Sequence, residues 1–234
     1  MKALRSGRED LDQGLAPGPW TKWGRGLPFW WVGFGSALGR LATLRSCDNT
    51  RQLVDMEYSA SIIGREQQII DLFIASFAES DGTEEAALIG EFVRHMLHDT
   101  PERDLFVFIA EDSGEIIGSV MFSRLIYDED ERVVFILSPL AVATEHQGKG
   151  IGQSLVTYGL KALEAAHVDA ALTYGDPAYY SKVGFLQISE AFAAAPFALT
   201  RPEGWLAQSL TDTELAPLKG SPHCVEALSN PMLW

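Results

Sequence analysis

The sequence predicts an α/β domain, and three observations carry the prediction. Apolar residues make up 47% of its 234 positions, enough to bury a core. From residue 56 onward, segments of strand and helix periodicity alternate. A glycine-rich loop sits between an apolar strand and an amphipathic helix.

Charge and aromatic residues divide the chain before any element is assigned. The net charge of −14 hides a first segment, residues 1–55, that carries +3, and a remainder that carries −17. That first segment holds Trp20, Trp23, Trp30 and Trp31, four of the six tryptophans, among many glycines and prolines and without periodicity. Residues 1–55 read as an N-terminal extension, either disordered or lying upstream of a true start at Met56. A targeting or membrane reading rests on the apolar run from Leu27 to Leu38, whose 12 residues are too few to cross a bilayer. Residues 56–234 read as the folded domain. The acidic balance opposes nucleic-acid binding, which depends on Lys and Arg neutralising phosphates. Cys47 and Cys224 form no CxxC or Cys/His cluster, so neither a structural disulfide nor a metal site is expected. With no credible export signal, the expected compartment is the cytoplasm, and no membrane partner is expected.

The elements follow in order. Residues 57–63 read as a short strand, and Arg65 to Ala78 as a helix with Ile69, Ile70, Phe73, Ile74 and Phe77 on one face. Thr83 to Leu97 repeats the helical spacing, with Asp81 or Thr83 as its cap and Pro101 closing it. Leu105 to Ala110, the turn Asp112-Ser113-Gly114 and Ile116 to Leu125 form a hairpin. A polar turn at Asp128 to Glu131 leads to a strand over Val133 to Val142, giving a three-strand antiparallel meander. A helix then runs to about His167, Phe185 to Ser189 and Trp205 to Leu210 read as strands, and Thr211 to Trp234 reads as irregular.

The loop Glu145-His146-Gln147-Gly148-Lys149-Gly150-Ile151-Gly152 carries the chemical signal. A helix N-terminus leaves about four N–H groups unpaired and carries roughly half a positive charge, so it attracts phosphate. Glycines at 148, 150 and 152 would let a diphosphate approach those amides. A Walker loop fails here, because Gly150 follows Lys149 and no glycine stands at the required position upstream; a dinucleotide fingerprint fails, because Gln153 occupies its last position.

These residues resemble the GCN5-related N-acetyltransferases (GNAT), whose loop reads [Q/R]-x-x-G-x-[G/A]. Gln147 to Gly152 satisfies it. Ser138-Pro139-Leu140-Ala141-Val142 is similar to the family's strand end, and Gly175-Asp176-Pro177-Ala178-Tyr179-Tyr180-Ser181-Lys182-Val183-Gly184-Phe185 resembles the "GDPxYYxxxGF" form of a bacterial subgroup. The resemblance covers about Glu57 to Leu210. It implies the GNAT fold: a mixed, mostly antiparallel central sheet with one splayed strand pair and helices on both faces. It implies acetyl-CoA as co-substrate, without metal. Leu140, Ala141 and Val142 would offer main-chain groups to the pantetheine arm, and the amides of Gln147, Gly148, Lys149, Gly150, Ile151 and Gly152 would cradle the pyrophosphate. Tyr180, four residues before Gly184, would donate a proton or hydrogen bond to the leaving sulfur; Tyr179 is the weaker candidate, about 100° away on a helix.

Glu79, Glu111 and Asp112 are available as general base, with none preferred, and Asp176 before Pro177 fits a helix cap. Ala191 to Phe197 could line an acceptor pocket or form a loop, and His223-Cys224 lacks a third partner. The implied reaction is acetyl transfer to an amine by direct attack in a ternary complex, on a small molecule or a protein. The negative domain charge favours a cationic acceptor such as a polyamine, an aminoglycoside or a lysine side chain. A non-catalytic acyl-CoA-binding module is the alternative, and homodimer assembly stays open.

Overall fold

The computed structural model describes residues 56–80 and 82–234. The expected N-terminal extension, residues 1–55 with Cys47 and the four clustered tryptophans, lies outside the described residues, as does Asp81. The described elements are β1 (Met56–Ser59), α1 (Glu66–Ser80), α2 (Thr83–Asp99), β2 (Leu105–Asp112), β3 (Glu115–Tyr127), β4 (Val134–Val142), α3 (Ile151–Ala165), β5 (Ala170–Tyr174), α4 (Pro177–Tyr180), β6 (Leu186–Gln187), β7 (Trp205–Ser209) and β8 (Pro222–Cys224). The strands form one sheet in the order β1-β2-β3-β4-β5-β7-β6, antiparallel except where β4 and β5 run parallel. This is the mixed, mostly antiparallel sheet expected from the sequence.

Several boundaries move for local reasons. The first strand stops at Ser59, because the chain reverses at Ile62 to Arg65 (2.8 Å N to O) with Gly64 at φ +76°. That short strand still pairs β2, so the meander has four strands. Thr83 does not cap α2 but opens it: the N-cap is Gly82 at φ 106°, without a side-chain bond. The tail expected to be irregular contributes β8, which pairs Leu125 to Tyr127 of β3. β3 outruns β2 at that end, since the β2 pairing begins at Leu105↔Ser123, and β8 takes the exposed edge.

Two cores lie on opposite faces of the sheet. Val107, Ile109, Met121 and Ile136 pack with Ile69, Phe73, Val93 and Met96 of α1 and α2 and with Leu218, Leu228 and Trp234 of the tail. Phe108, Val120, Phe122 and Leu137 pack with Ile151, Leu155, Val156 and Leu163 of α3 and with Tyr179 and Tyr180. Strand alternation assigns these faces, and in β4 the alternation switches phase. Phe135 and Leu137 face α3; beyond them, Leu140 and Val142 do. The β3 register shows why: Phe122 opposes Leu137 but Val120 opposes Leu140, so β4 carries one extra residue at Ser138–Pro139, whose peptide is cis. Pairing of β4 with β5 ends at Leu137↔Thr173, at the same place.

The tail is fastened to the acidic turn between β3 and β4. Arg132 pairs with Asp130 and donates to the carbonyls of Ala216 and Pro217 at 2.7 Å. Asp130 also accepts from the Lys219 amide, and Asp128 from the Ser221 amide. Bonding to Arg132 pulls the Asp130 carboxyl down to about 2 from 3.8. A depressed carboxylate contributes stability above its unfolded value and loses it as pH falls toward the folded one. Asp130→Asn is expected to lower the thermal midpoint at pH 7, with the difference from the parent closing between pH 4 and pH 2.

α3 reaches the sheet through Gly159, where an added Cβ would stand 2.6 Å from the Phe122 ring and 3.0 Å from that of Phe108. Gly159→Ala gains helix propensity of about 1 kcal/mol, but overpacking costs about 1–3 kcal/mol. A net fall of a few degrees in the thermal midpoint is expected; a rise would show that α3 has slack against the sheet.

Candidate active site

The end of β4 and the start of α3 form the first half of the site. Gly148 and Gly150 have φ +72° and +83°, a region that glycine enters without penalty, and a Cβ at either would meet nothing within 4 Å. Gly150 is the N-cap of α3 and no side chain caps the helix. α1 and α2 carry acidic residues in their first turns, whereas α3 carries none. Its end therefore keeps its unpaired amides and positive potential, with Lys149 exposed beside it.

Three of the remaining loop residues have side-chain or packing roles besides the amides that the resemblance assigns to them. Gly152 lies within the helix, and a Cβ there would stand 2.5 Å from the Tyr179 hydroxyl; its small size is required by packing. Ile151 is a core residue at 2% exposure. The Gln147 side chain donates to the Val142 carbonyl at 3.0 Å and ties the loop back to the strand. The same carbonyl accepts from Ser76 of α1 at 3.2 Å.

The second half is the gap where β4 leaves β5. Leu140, Ala141 and Val142 are buried and pair with Val120, Ser119 and Gly118 of β3, while their pairing with β5 has already ended. At the parting point Thr173 donates to the Leu137 carbonyl at 3.2 Å, and its hydroxyl lies close enough to that of Tyr180 to interact with it. Tyr180 is 2% exposed and its ring lies against Gly175, where a Cβ would stand 2.4 Å away. Burial raises its phenol well above the ordinary tyrosine value. The two tyrosines do diverge: their rings are 5.0 Å apart at 86°, with Tyr179 over Gly152 at the helix end and Tyr180 at the strand gap. Asp176 caps α4, accepting from the Ala178 amide at 2.8 Å, as its place before Pro177 predicts.

Other candidates fall away from this point. Glu111 is paired with Arg65. Ala191 to Phe197 is a packed loop, with the Ala193 and Ala194 carbonyls accepting from Trp205 and Tyr127 at 2.8 Å. His223 lies 3.9 Å from Asp128, exposed. Among the described residues no group of three His, Cys, Asp or Glu could hold a metal ion, and no helix is long and apolar enough to cross a membrane.

The sequence reading missed Ser138, Thr173 and the tail residues Leu228, Leu233 and Trp234. Together with Ile136, Leu137 and Tyr174, Ser138 and those three tail residues line a small cleft on the α1/α2 side of the sheet. A proline inside an apolar central strand was the available signal for Ser138.

Residues 103–187 match the family model described as an acetyltransferase (GNAT) domain. The uncharacterized N-acetyltransferase YjhQ of Escherichia coli strain K12 is 28% identical over 141 residues, covering 58% of this chain and 77% of that protein. The uncharacterized N-acetyltransferase YhbS of the same strain is 34% identical over 116 residues, covering 50% of this chain and 65% of that protein. The solved structure of Escherichia coli YhbS in complex with CoA superposes with a TM-score of 0.57 at 25% identity, covering 75% of this chain and 91% of that one. A GNAT family acetyltransferase from Brucella melitensis, solved with acetyl-CoA, shares the fold with a TM-score of 0.57 at 21% identity, over 74% and 97% of the two chains. Domain match, relatives and sheet architecture agree: residues 103–187 match a GNAT acetyltransferase domain, and the chain around them is similar to N-acetyltransferases in sequence and fold.

Proposed function

We propose that residues 56–234 form one N-acetyltransferase domain that transfers an acetyl group from acetyl-CoA to a primary amine, small molecule or protein, by direct attack in a ternary complex in the cytoplasm. The observation that carries the reading is the coincidence of three features in one short stretch: the uncapped, acid-free N-terminus of α3, the open positive-φ glycines before it, and the strand gap that ends at Tyr180. The CoA and acetyl-CoA carried by the two solved relatives support the choice of donor.

In this reading the amides from Gln147 to Gly152 hold the pyrophosphate, and the unpaired edge of Leu140, Ala141 and Val142 takes the pantetheine amides. The amine lone pair forms the C–N bond at the thioester carbonyl, whose π electrons move to oxygen. Collapse of that tetrahedral species breaks the C–S bond and expels the thiolate. The buried Tyr180 phenol, raised above the ordinary value of 10.0, lies above a thiol of about 8.5. It therefore acts mainly as a hydrogen-bond donor to the departing sulfur; the amine gives up its surplus proton to solvent, and the thiolate takes one proton back from solvent to end as the thiol.

Two variants test the two halves. Gly150→Asp places a residue type that tolerates positive φ in open space, so the thermal midpoint is expected to hold while the calorimetric Kd for CoA rises about tenfold or more from charge repulsion. An unchanged Kd would place the pyrophosphate elsewhere. Tyr180→Phe is expected to lower kcat by about tenfold or more and to leave the Kd for CoA within twofold. Because the phenol titrates above its usual range, the parent kcat should show no loss up to pH 10. Binding of CoA without turnover of any amine would favour the non-catalytic acyl-CoA-binding reading.

A further inference from the structure

The ladder between β3 and β4 decides which main-chain groups of the parted strand face the gap. Ala143 donates to the Ile117 carbonyl at 2.8 Å, one residue outside the pair Gly118↔Val142. In an antiparallel ladder such a bond marks a pair whose own N–H and C=O groups turn away from the partner strand, and these pairs alternate with pairs that exchange both bonds. Val142 and Leu140 therefore point their N–H and C=O groups away from β3, to the side that β5 has left. Ala141, opposite Ser119, gives both of its groups to β3.

One of the gap-facing groups is already engaged. The Val142 carbonyl accepts from the Gln147 side chain at 3.0 Å and from the Ser76 hydroxyl at 3.2 Å. A carbonyl oxygen has two lone pairs, and these two bonds fill them. The donors come from different layers. Gln147 belongs to the glycine loop, whereas Ser76 stands toward the end of α1, buried at 6% exposure, on the face of the sheet opposite α3. Alanine would suit a buried helix position better than serine; what the hydroxyl adds between the layers is a bond to the strand end. The peptide joining Val142 to Ala143 is thus held at both polar groups, by Ile117 on one side and by Ser76 and Gln147 on the other.

We propose that Ser76 is a positioning residue for the cofactor arm: it fixes the last peptide of β4 and closes the Val142 carbonyl to the ligand. The groups left for the pantetheine amides are then the N–H and C=O of Leu140 and the N–H of Val142. Carbonyls two residues apart on one strand edge repeat at about 7 Å, so an arm free to use either Leu140 or Val142 would have two registers. With the Val142 oxygen filled, the acceptor is Leu140 and the register is single, which sets how deep the thioester lies in the gap. Ser76 is outside residues 103–187, which carry the domain match, so α1 serves the cofactor site from across the sheet.

The inference rests on the acetyl-CoA reading above, and calorimetry on the full chain separates the two. ADP carries a diphosphate without the pantetheine arm and reports on the glycine loop alone. In Ser76→Ala the ligand must order the strand end on binding, so the Kd for CoA should rise about three- to tenfold, up to the loss of one neutral hydrogen bond. The Kd for ADP should stay within about twofold, because the helix N-terminus is untouched. Gln147→Ala, which loosens the loop as well as the strand, should raise both. The thermal midpoint of Ser76→Ala should hold within a few degrees, since alanine regains helix propensity. Amide exchange followed by NMR gives a readout that packing alone would not move. CoA should slow exchange at Val142 and leave Ala141, already bonded to β3, unchanged. In Ser76→Ala at saturating CoA the protection at Val142 should fall about threefold or more. An unchanged Kd for CoA, equal losses for CoA and ADP, or unaltered protection at Val142 overturns the role of Ser76 alone. Absence of CoA binding by the folded parent overturns both readings.

Discussion

The site depends on β4 leaving β5 after Leu137. A parallel pair would ordinarily continue, since each further residue adds ladder bonds and buries apolar side chains on both faces. Here the extra residue at Ser138–Pro139 shifts the phase of β4, and proline has no N–H to give to a ladder. Leu140 and Val142 consequently face α3 and keep their β3 partners, so β4 remains anchored on one edge while its other edge loses its partner. A strand edge without a partner strand leaves directed hydrogen-bonding groups that side chains, water or a ligand must satisfy, and at Val142 two side chains do so.

The neighbouring elements hold that edge in place. Gln147 and Ser76 both donate to the Val142 carbonyl, one from the glycine loop and one from α1, so the strand end, the loop and the opposite helix layer are tied at a single atom. α3 is set close to the sheet by Gly159, and its N-terminal turn is set against Tyr179 by Gly152. The two glycines with positive φ shape the approach to the helix, while these two permit close packing; the four share a residue type but answer to different constraints.

The C-terminal tail gives the two sides of the gap different chemistry. On the α3 side lie charge-friendly amides and a phenol. On the α1/α2 side the tail brings Leu228, Leu233 and Trp234 against Tyr174 and Ser138, fastened by the acidic turn at Asp128 to Arg132. An acidic run that reads as a solvated loop is thereby the anchor of an apolar wall.

The sequence by itself determined the element order from residue 56 to the end of α3, the strand–loop–helix unit, the cap at Asp176 and the resemblance to the family, because periodicity, glycine placement and capping are local properties that a short window of residues carries; it did not mark β5 or β8. It also marked Tyr180 through its spacing to Gly184. Tertiary structure alone decided where β4 and β5 part, since β4 is buried along its whole length and shows no alternation from which a phase switch could be read. It likewise decided that Gly152 serves packing, that Gln147 closes the loop, and that residues 222–234 complete a sheet edge and a cleft. Those outcomes depend on partners distant in the chain, such as Leu125 with Cys224 and Tyr174 with Trp234, and no local pattern encodes which distant surface a short, proline-punctuated segment will meet.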